Sequence, residues 1–558
     1  MSCSPIDGFG FSEHFGRATI MHGSEGLSAQ RQREVLDLLL SRTSGAGLSI
    51  LRLGIGSAGK TSIQPTDPGG PGATPRYVWN GDDDGQVWLA QQAKAYGVNR
   101  FYADAWSAPG YMKTNGDESN GGTLCGLSGT ACGSGDWRRA YANYLVQYAR
   151  FYAQEGITIN DLGFTNEPDY TTSYSSMRFT PAQAVELTKI VGPIAGAAGL
   201  KVACCDAVGW TSQGPFTAAI AADAEAHSWI TTHTGHSYSS APTAPLPVSG
   251  RRTWMSEWSP SGTTWNESWD DGSGYDGFTV AQAVHTALTS GNVNGYVYWY
   301  GASTGTTRGL VQLDGDGYRT SKRLWALASY SRFIRPNATR IGASTPDGNL
   351  RLSAYQNTDG SLVLVALNAS SSATEVSYAL PNTGVTSGTA TPYLTNGVNS
   401  MAVQPAVAVT GGAFTAAVPA RSLITYRITG QGTTGRIRSE AASRCADVPN
   451  SSNANGTRLQ VWDCNSNANQ RWTLTGGELR VLGKCLDAPL GSTAAGTPAQ
   501  LWECSGNPNQ QWTVNANGTI SNLAYGLCLD LNGGATANGT AMVMSTCNTG
   551  AGQRWARI

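Results

Sequence analysis

Leu162-Gly163-Phe164-Thr165-Asn166-Glu167-Pro168-Asp169 closes an apolar run that begins with Ile157 and Ile159. Proline donates no backbone hydrogen bond and restricts the residue before it, so a strand arriving from Ile157 is predicted to end at Glu167. That leaves a carboxylate at a strand tip, beside an amide that both donates and accepts. A second stretch repeats the arrangement: Arg252-Thr253-Trp254-Met255-Ser256-Glu257-Trp258-Ser259 runs into a lone glutamate flanked by tryptophans. Outward from these two, Ile6–Phe11, Leu48–Gly54, Arg100–Trp106, Lys201–Asp206, Thr231–Tyr238 and Gly295–Tyr300 read as further strands. Gln30–Leu40 reads as a helix with an apolar stripe at Val35, Leu36, Leu39 and Leu40. Eight strand-like segments, with helical ones between most of them, predict a (β/α)8 barrel over residues 1–336. Active groups of such barrels sit at the C-terminal strand ends, where Glu167 (strand four) and Glu257 (strand seven) fall.

Other polar or aromatic residues occupy equivalent positions. Arg52 interrupts an apolar strand, and a buried guanidinium needs an acidic partner such as a nucleophilic carboxylate. His236 and Tyr238 share one face of strand six. Trp106 and Trp299 end strands three and eight and are candidate stacking platforms. Two carboxylates on opposing strand ends, in an aromatic cleft, are the groups needed to break a glycosidic bond. His233 could join His236 on a metal, but no ordered third ligand follows, so no metal and no cofactor is expected.

Composition narrows the alternatives. Only 13% of residues are charged, and 37 Lys and Arg against 38 Asp and Glu leave no concentrated basic face for a nucleic acid. No run of about 18 apolar residues marks a membrane span. The chain has 17 Trp and 22 Tyr, whose faces suit the C–H faces of sugars. Six of 11 cysteines fall after residue 440 at regular spacing, as in an exported, disulfide-bonded protein. The first residues lack the apolar segment of a signal peptide, and Met1 is read as the start of a trimmed mature chain. Cys125 and Cys132 share a Gly-rich loop and could pair. The neighbours Cys204 and Cys205 are poorly placed to pair with each other. Cys3 has no assigned partner.

Ile334-Arg335-Pro336 stops a closing helix over 321–333. Residues 337–429 alternate with period two, as in Ser361–Leu367 and Ser422–Ile428, and are cut by Asn-Gly and Asp-Gly turns, which predicts an antiparallel β-sandwich. Residues 430–436 form a Gly/Thr-rich linker. Residues 437–558 repeat three times. Cys445-Ala446-Asp447, Cys485-Leu486-Asp487 and Cys528-Leu529-Asp530 open the units, and Cys464, Cys504 and Cys547 follow 19 positions on. Gln470-x-Trp472, Gln510-x-Trp512 and Gln553-x-Trp555 close them. One disulfide per unit and a shared tryptophan core predict a three-fold β-trefoil.

Residues 6–429 resemble glycoside hydrolase family 30, retaining enzymes built as a (β/α)8 barrel with an attached β-sandwich. The resemblance rests on Gly8-Phe9-Gly10-Phe11-Ser12, Trp106-Ser107-Ala108-Pro109-Gly110-Tyr111-Met112, Asn166-Glu167-Pro168, Trp254-Met255-Ser256-Glu257 and Ser331-Arg332-Phe333-Ile334-Arg335-Pro336. It implies Glu167 as general acid/base, Glu257 as nucleophile and Asn166 as hydrogen-bond partner of the sugar 2-hydroxyl. Arg52 and Tyr238 would hold Glu257. Retention implies carboxyl groups about 5–5.5 Å apart rather than the roughly 6.5–9.5 Å of inverting enzymes. In the family a strand from the extreme N-terminus joins the sandwich; in this chain five residues precede Ile6.

Gly8–Ser12 and Trp254–Ser259 look most like the endo-β-1,6-galactanase branch, with arabinogalactan side chains as substrate. Endo-β-1,4-xylanase or glucuronoxylanase is the alternative, and the last would need an arginine to clamp the uronate. A non-catalytic galactose- or xylan-binding lectin is the alternative of another class. The tail looks like a ricin-type lectin repeat (carbohydrate-binding module family 13). The resemblance assigns sugar pockets to Asp447, Gln460, Trp462, Asn469 and Gln470, and to Asp487, Gln500, Trp502, Asn509 and Gln510. Val543, Ser545 and Gly552 break the pattern in the third repeat, whose site is expected to be weak or dead. The expected partner is a polysaccharide, and the expected state a secreted monomer.

Overall fold

The computed structural model describes residues 5–557 except 23–25, 58, 306–307, 382, 384, 431–433, 476, 490–493 and 516. Eight parallel strands close into a barrel: β1 (Gly8–Ser12), β2 (Ile50–Ile55), β3 (Arg100–Ala105), β4 (Asp161–Gly163), β5 (Lys201–Ala207), β6 (Ile230–His236), β7 (Arg252–Glu257) and β8 (Gly295–Ser303). Each pairs with its sequence neighbour, and β1 also pairs with β8, which completes the ring. Helices such as Ala29–Leu40, Arg138–Gln154, Pro181–Ala197 and Gly277–Thr289 wrap the outside. They bury the stripes that periodicity picked out, Val35, Leu36, Leu39 and Leu40 among them.

Alternation along the strands sets the barrel interior in layers. Ile50, Tyr102, Ala203, Trp254 and Val297 form one buried cluster. Two residues further on, the same faces present Arg52, Asp104, Ser256 and Trp299, so an apolar floor carries a polar layer directly above it. All strand residues of β2 and β8 are buried, which is why they read as continuous apolar runs.

Two local differences from expectation bear on the site. Regular pairing in β4 ends at Gly163, and Glu167 follows in a turn with φ of 47°. The Glu167 N–H is held by the Asp206 carbonyl at 2.8 Å, so β5 and not the strand itself fixes this backbone. Cys204 and Cys205 are disulfide-bonded to each other, contrary to the sequence expectation. Their Cα atoms are 3.0 Å apart, across a cis peptide bond. Cys125 pairs with Cys132, whereas Cys3 and linker residues 431–433 lie outside the described residues.

Beyond the barrel, Leu350–Gln356, Leu362–Asn368, Ser422–Gly430 and Ser387–Thr395 pair antiparallel in that spatial order. Leu364, Ala366, Tyr378, Phe414, Ile424 and Tyr426 fill the sandwich core. The N-terminus does reach this side: Pro5 bridges Thr339, and the Ile6 N–H donates to the Ala338 carbonyl at 2.7 Å. Arg421 pairs with Asp270 at 2.6 Å, and Thr425 donates to the Ser329 carbonyl at 2.6 Å, docking sandwich on barrel. The tail is a β-trefoil with disulfides Cys445–Cys464, Cys485–Cys504 and Cys528–Cys547. Trp472, Trp512 and Trp555 meet in its core, and each indole N–H donates to the carbonyl following a repeat's first cysteine, Ala446, Leu486 or Leu529, at 2.8–3.0 Å. Among the described residues no helix is long and apolar enough to cross a membrane.

Candidate active site

Arg52 is the hub of the polar layer. It is fully buried, and one guanidinium nitrogen donates to Asp104 and to Asn166 Oδ1, both at 2.7 Å, while the other donates to Glu257 Oε2. Burial opposes the charged guanidinium, but Glu257, Asp206 and Asp104 outweigh it and push its pKa well up. The cation therefore stays ionised. Because Asn166 accepts through Oδ1, its amide NH2 is the group offered to a ligand.

The two glutamates are held differently. Glu257 Oε1 accepts from the Tyr238 hydroxyl at 2.9 Å, so both its oxygens carry a donor. Glu167 Oε1 faces His236 Nδ1 at 3.0 Å, and Glu167 Oε2 accepts from the Tyr174 hydroxyl at 3.3 Å. An oxygen of each glutamate and a ring nitrogen of His236 all lie within 4.8 Å of one another. Burial lowers the His236 pKa, but Glu257, Asp206 and Glu167 raise it more, to about 10. The ring is thus an imidazolium that donates from both nitrogens, its Nε2 lying 3.3 Å from Asp206. Among the described residues a second cluster of possible ligands, Glu478 with Cys485 and Cys504, has its two cysteines joined in a disulfide.

Two further buried carboxyls of this layer are shifted in opposite directions. Asp206 receives hydrogen bonds from Tyr102, Thr234, Ser256 and His236, which together with Arg52 overcome burial and lower its pKa to about 2. Asp104 is pushed well up by burial and then by the charge on Asp206, and its Oδ1 has no partner.

The cleft above these groups holds about 590 Å³ and is lined by Trp106, Trp299, Tyr300, Tyr170 and Tyr174 besides the carboxylates. Trp106 and Trp299 lie 5.8 Å apart, and Arg52 sits 4.5 Å from the Trp106 ring centre. Phe15 packs edge-on against both tryptophans and against Tyr174 at 6.0 Å, so the loop after β1 meets the loop after β4 over the cleft. Arg17 and Arg308 line the same cleft. Sequence reasoning missed Asp104, Asp206, Phe15 and Tyr174. Asp104 had a readable signal, as an acid inside an otherwise apolar stretch of a largely buried strand; Tyr174 sits in a loop of small polar residues with no periodicity.

This architecture has close counterparts. A solved structure, the catalytic domain of a GH30 xylanase C from Talaromyces cellulolyticus, is 41% identical, with a TM-score of 0.72, and 98% of it is covered by 77% of this chain. The chain belongs to glycoside hydrolase family 30. Residues 80–247 match the Glycosyl hydrolase family 30 TIM-barrel domain and residues 337–426 its beta sandwich domain. Residues 433–555 match the Ricin-type beta-trefoil lectin domain. A GH30 endoxylanase of Clostridium papyrosolvens C71 has a TM-score of 0.59 at 25% identity, over 76% of this chain and 97% of that one. Among curated relatives, a glucuronoxylanase of Bacillus subtilis is 26% identical over 296 residues, 51% of this chain and 65% of that enzyme. The family 30 chain thus spans under two thirds of that relative's length. An endo-1,6-beta-D-glucanase of Trichoderma harzianum is 26% identical over 389 residues, 64% of this chain and 77% of that one.

The lectin-type domain repeats one polar arrangement twice. Asp447 accepts from Gln460 at 2.9 Å, Asn469 at 2.8 Å and Gln470 at 2.9 Å. Asp487 accepts from Gln500, Asn509 and Gln510 at the same three distances, 2.9, 2.8 and 2.9 Å. Trp462 and Trp502 stand beside them 42% and 43% exposed. Gln470 and Gln510 are buried and also bond backbone groups, so they orient the aspartates rather than face a ligand. In the third repeat only Gln553 reaches Asp530 from this set, at 2.9 Å.

Proposed function

We propose that the barrel hydrolyses a β-linked plant polysaccharide with retention, by double displacement at Glu257 and Glu167. The carrying observation is a pair of cleft-lining carboxylates, an oxygen of each lying within 4.8 Å of the other, one of them held by a buried guanidinium. Glu257 is gripped by a permanent cation and a phenol, which suits a carboxylate that attacks the anomeric carbon. Glu167 faces the open cleft and supplies a proton to the departing oxygen, then takes one from the water that hydrolyses the glycosyl-enzyme. The approach of an oxygen of each group to within 4.8 Å favours the short spacing of a retaining pair over the roughly 6.5–9.5 Å that inversion needs for an intervening water. Asn166 donates to the 2-hydroxyl of the sugar under attack, and Trp106 and Trp299 form the apolar wall beside it.

The substrate we infer is xylan. The relatives of this chain include xylanases, one of them at 41% identity, and they support this reading over the galactan preferred from motif resemblance. Arg17 and Arg308 in the cleft favour a xylan with acidic branches, because a guanidinium matches a uronate carboxylate. The trefoil tethers the enzyme to insoluble polysaccharide through Trp462 and Trp502, and five disulfides suit an exported protein. Digestion of glucuronoxylan, debranched xylan, de-arabinosylated arabinogalactan and β-1,6-glucan tests the assignment. Xylo-oligosaccharides from the first two are expected, with faster release from glucuronoxylan. Products from the galactan alone overturn xylan and leave the glutamate roles standing; no product from any substrate overturns the catalytic reading.

A further inference from the structure

The trefoil's three repeats carry three copies of one turn: Ala454-Asn455-Gly456-Thr457, Ala494-Ala495-Gly496-Thr497 and Ala537-Asn538-Gly539-Thr540. In each, the threonine hydroxyl donates to the alanine carbonyl at 2.7–2.8 Å, and the glycine has φ of 85–89°. The turns do not pack on their own repeats. Gly456 N–H donates to Leu501 of the second repeat, Gly496 to Met544 of the third, and Gly539 to Val461 of the first, all at 2.7–2.9 Å. Each turn thereby lies against the strand that carries the next repeat's exposed aromatic position. A Cβ on Gly456 would sit 3.9 Å from Trp502, and one on Gly539 3.9 Å from Trp462, whereas one on Gly496 would meet nothing within 4 Å.

The turns differ at one position, and the difference follows the state of the site they border. Asn455 Oδ1 accepts from the Glu503 N–H at 3.1 Å, directly after Trp502, and from Lys484 at 3.0 Å. Asn538 Oδ1 accepts from the Asp463 N–H at 2.8 Å, directly after Trp462, and from Arg444 at 2.6 Å. Arg444 and Lys484 pair in turn with Asp463 and Glu503 at 3.0 and 3.3 Å. The turn bordering the third repeat has Ala495 instead. There Leu527 replaces the cation, Thr546 the acid and Ser545 the tryptophan. Asparagine, cation and acid are present together where the aromatic is present and are lost together where it is lost.

We infer that the trefoil's sugar sites are composite across repeats: Asn455 of the first repeat is a positioning residue for the Trp502 site, and Asn538 of the third is one for the Trp462 site. Each amide clamps the backbone immediately after the stacking indole, fixing its presentation to the apolar face of a neutral sugar ring. The inference rests on the reading of Trp462 and Trp502 as lectin stacking residues. The test uses the full chain with 15N-labelled tryptophan, its indole signals assigned by Trp462→Phe and Trp502→Phe, titrated separately with galactose and xylotriose. Asn455→Ala is expected to weaken the affinity read at Trp502 by about fivefold or more and to leave that at Trp462 within about twofold; Asn538→Ala gives the mirror image. Asn455→Asp, which keeps the acceptor, retains most of the Trp502 affinity. An effect at the tryptophan of the mutated repeat itself, equal effects at both, or none at either overturns the inference. If neither indole responds to either sugar in the unsubstituted chain, the lectin reading itself fails.

Discussion

Tyr174→Phe isolates one hydrogen bond at Glu167, the proposed proton donor, while leaving the ring in place against Phe15. The hydroxyl donates to Glu167 Oε2 at 3.3 Å from a side chain 44% exposed. Glu167 is neutral when it gives up its proton, and a hydrogen bond between neutral groups contributes about 0.5–1.5 kcal/mol, of which the upper part, about 1–1.5 kcal/mol, is the most this bond supplies. Applied to aiming the acid, that is a loss of about 5- to 13-fold in kcat/KM. The loss depends on the leaving group. A sugar alkoxide needs the proton, whereas a nitrophenolate departs without it. Tyr174→Phe is therefore expected to lower kcat/KM on xylan by about that factor and to change it less than about twofold on a nitrophenyl xyloside. Tyr174→Ala, which also removes the contact with Phe15, lowers both. Equal losses for Tyr174→Phe on the two substrates, or no loss on xylan, refute the assignment of Tyr174 to the acid.

Arg52→Met strands Asp104, Asp206 and Glu257 around a missing cation; breaking a buried pair costs about 3–5 kcal/mol, and a melting temperature lowered by several degrees together with loss of activity is expected from calorimetry and assay. His236 is held at about 10 in the fold against 6.5 ordinarily, so its stabilising contribution is complete below pH 6.5 and is lost as pH rises through 10. The stability difference between wild type and His236→Gln, read by urea unfolding, should shrink between pH 6 and pH 10; a constant difference contradicts the imidazolium. Trp462→Ala with Trp502→Ala should release the protein from insoluble xylan in a pull-down assay while leaving the rate on a soluble short substrate unchanged.

Much of this site was legible because burial constrains sequence. β2 and β8 admit almost nothing but apolar residues, so Arg52 stood out, and its partner had to be an acid at the same height in the barrel. The tip glutamates were equally plain: Pro168 forbids continuation of a strand, although pairing in fact stops at Gly163 and Asp206 supplies the backbone support. Asp206 escaped notice because its importance lies in donors drawn from β3, β6 and β7, a convergence that no local pattern encodes. Tyr174 lies on a loop whose path is set by contacts, not periodicity. The Cys204–Cys205 pair was misjudged because adjacent cysteines were taken to be poorly placed to reach one another. In the tail, internal repetition exposed both the disulfide spacing and the departures of the third repeat at Val543, Ser545 and Gly552. The packing of each turn on the next repeat appears only in three dimensions.

The stereochemistry of the first-formed product tests the double-displacement mechanism most directly. Xylan or a xylo-oligosaccharide digested in an NMR tube with a large amount of enzyme yields new reducing ends faster than they mutarotate. Double displacement at Glu257 predicts that the β-anomer signal appears first and the α-anomer follows as the sugar equilibrates. An α-anomer signal appearing first means direct displacement by water, and Glu257 as nucleophile with Glu167 as acid/base would not stand.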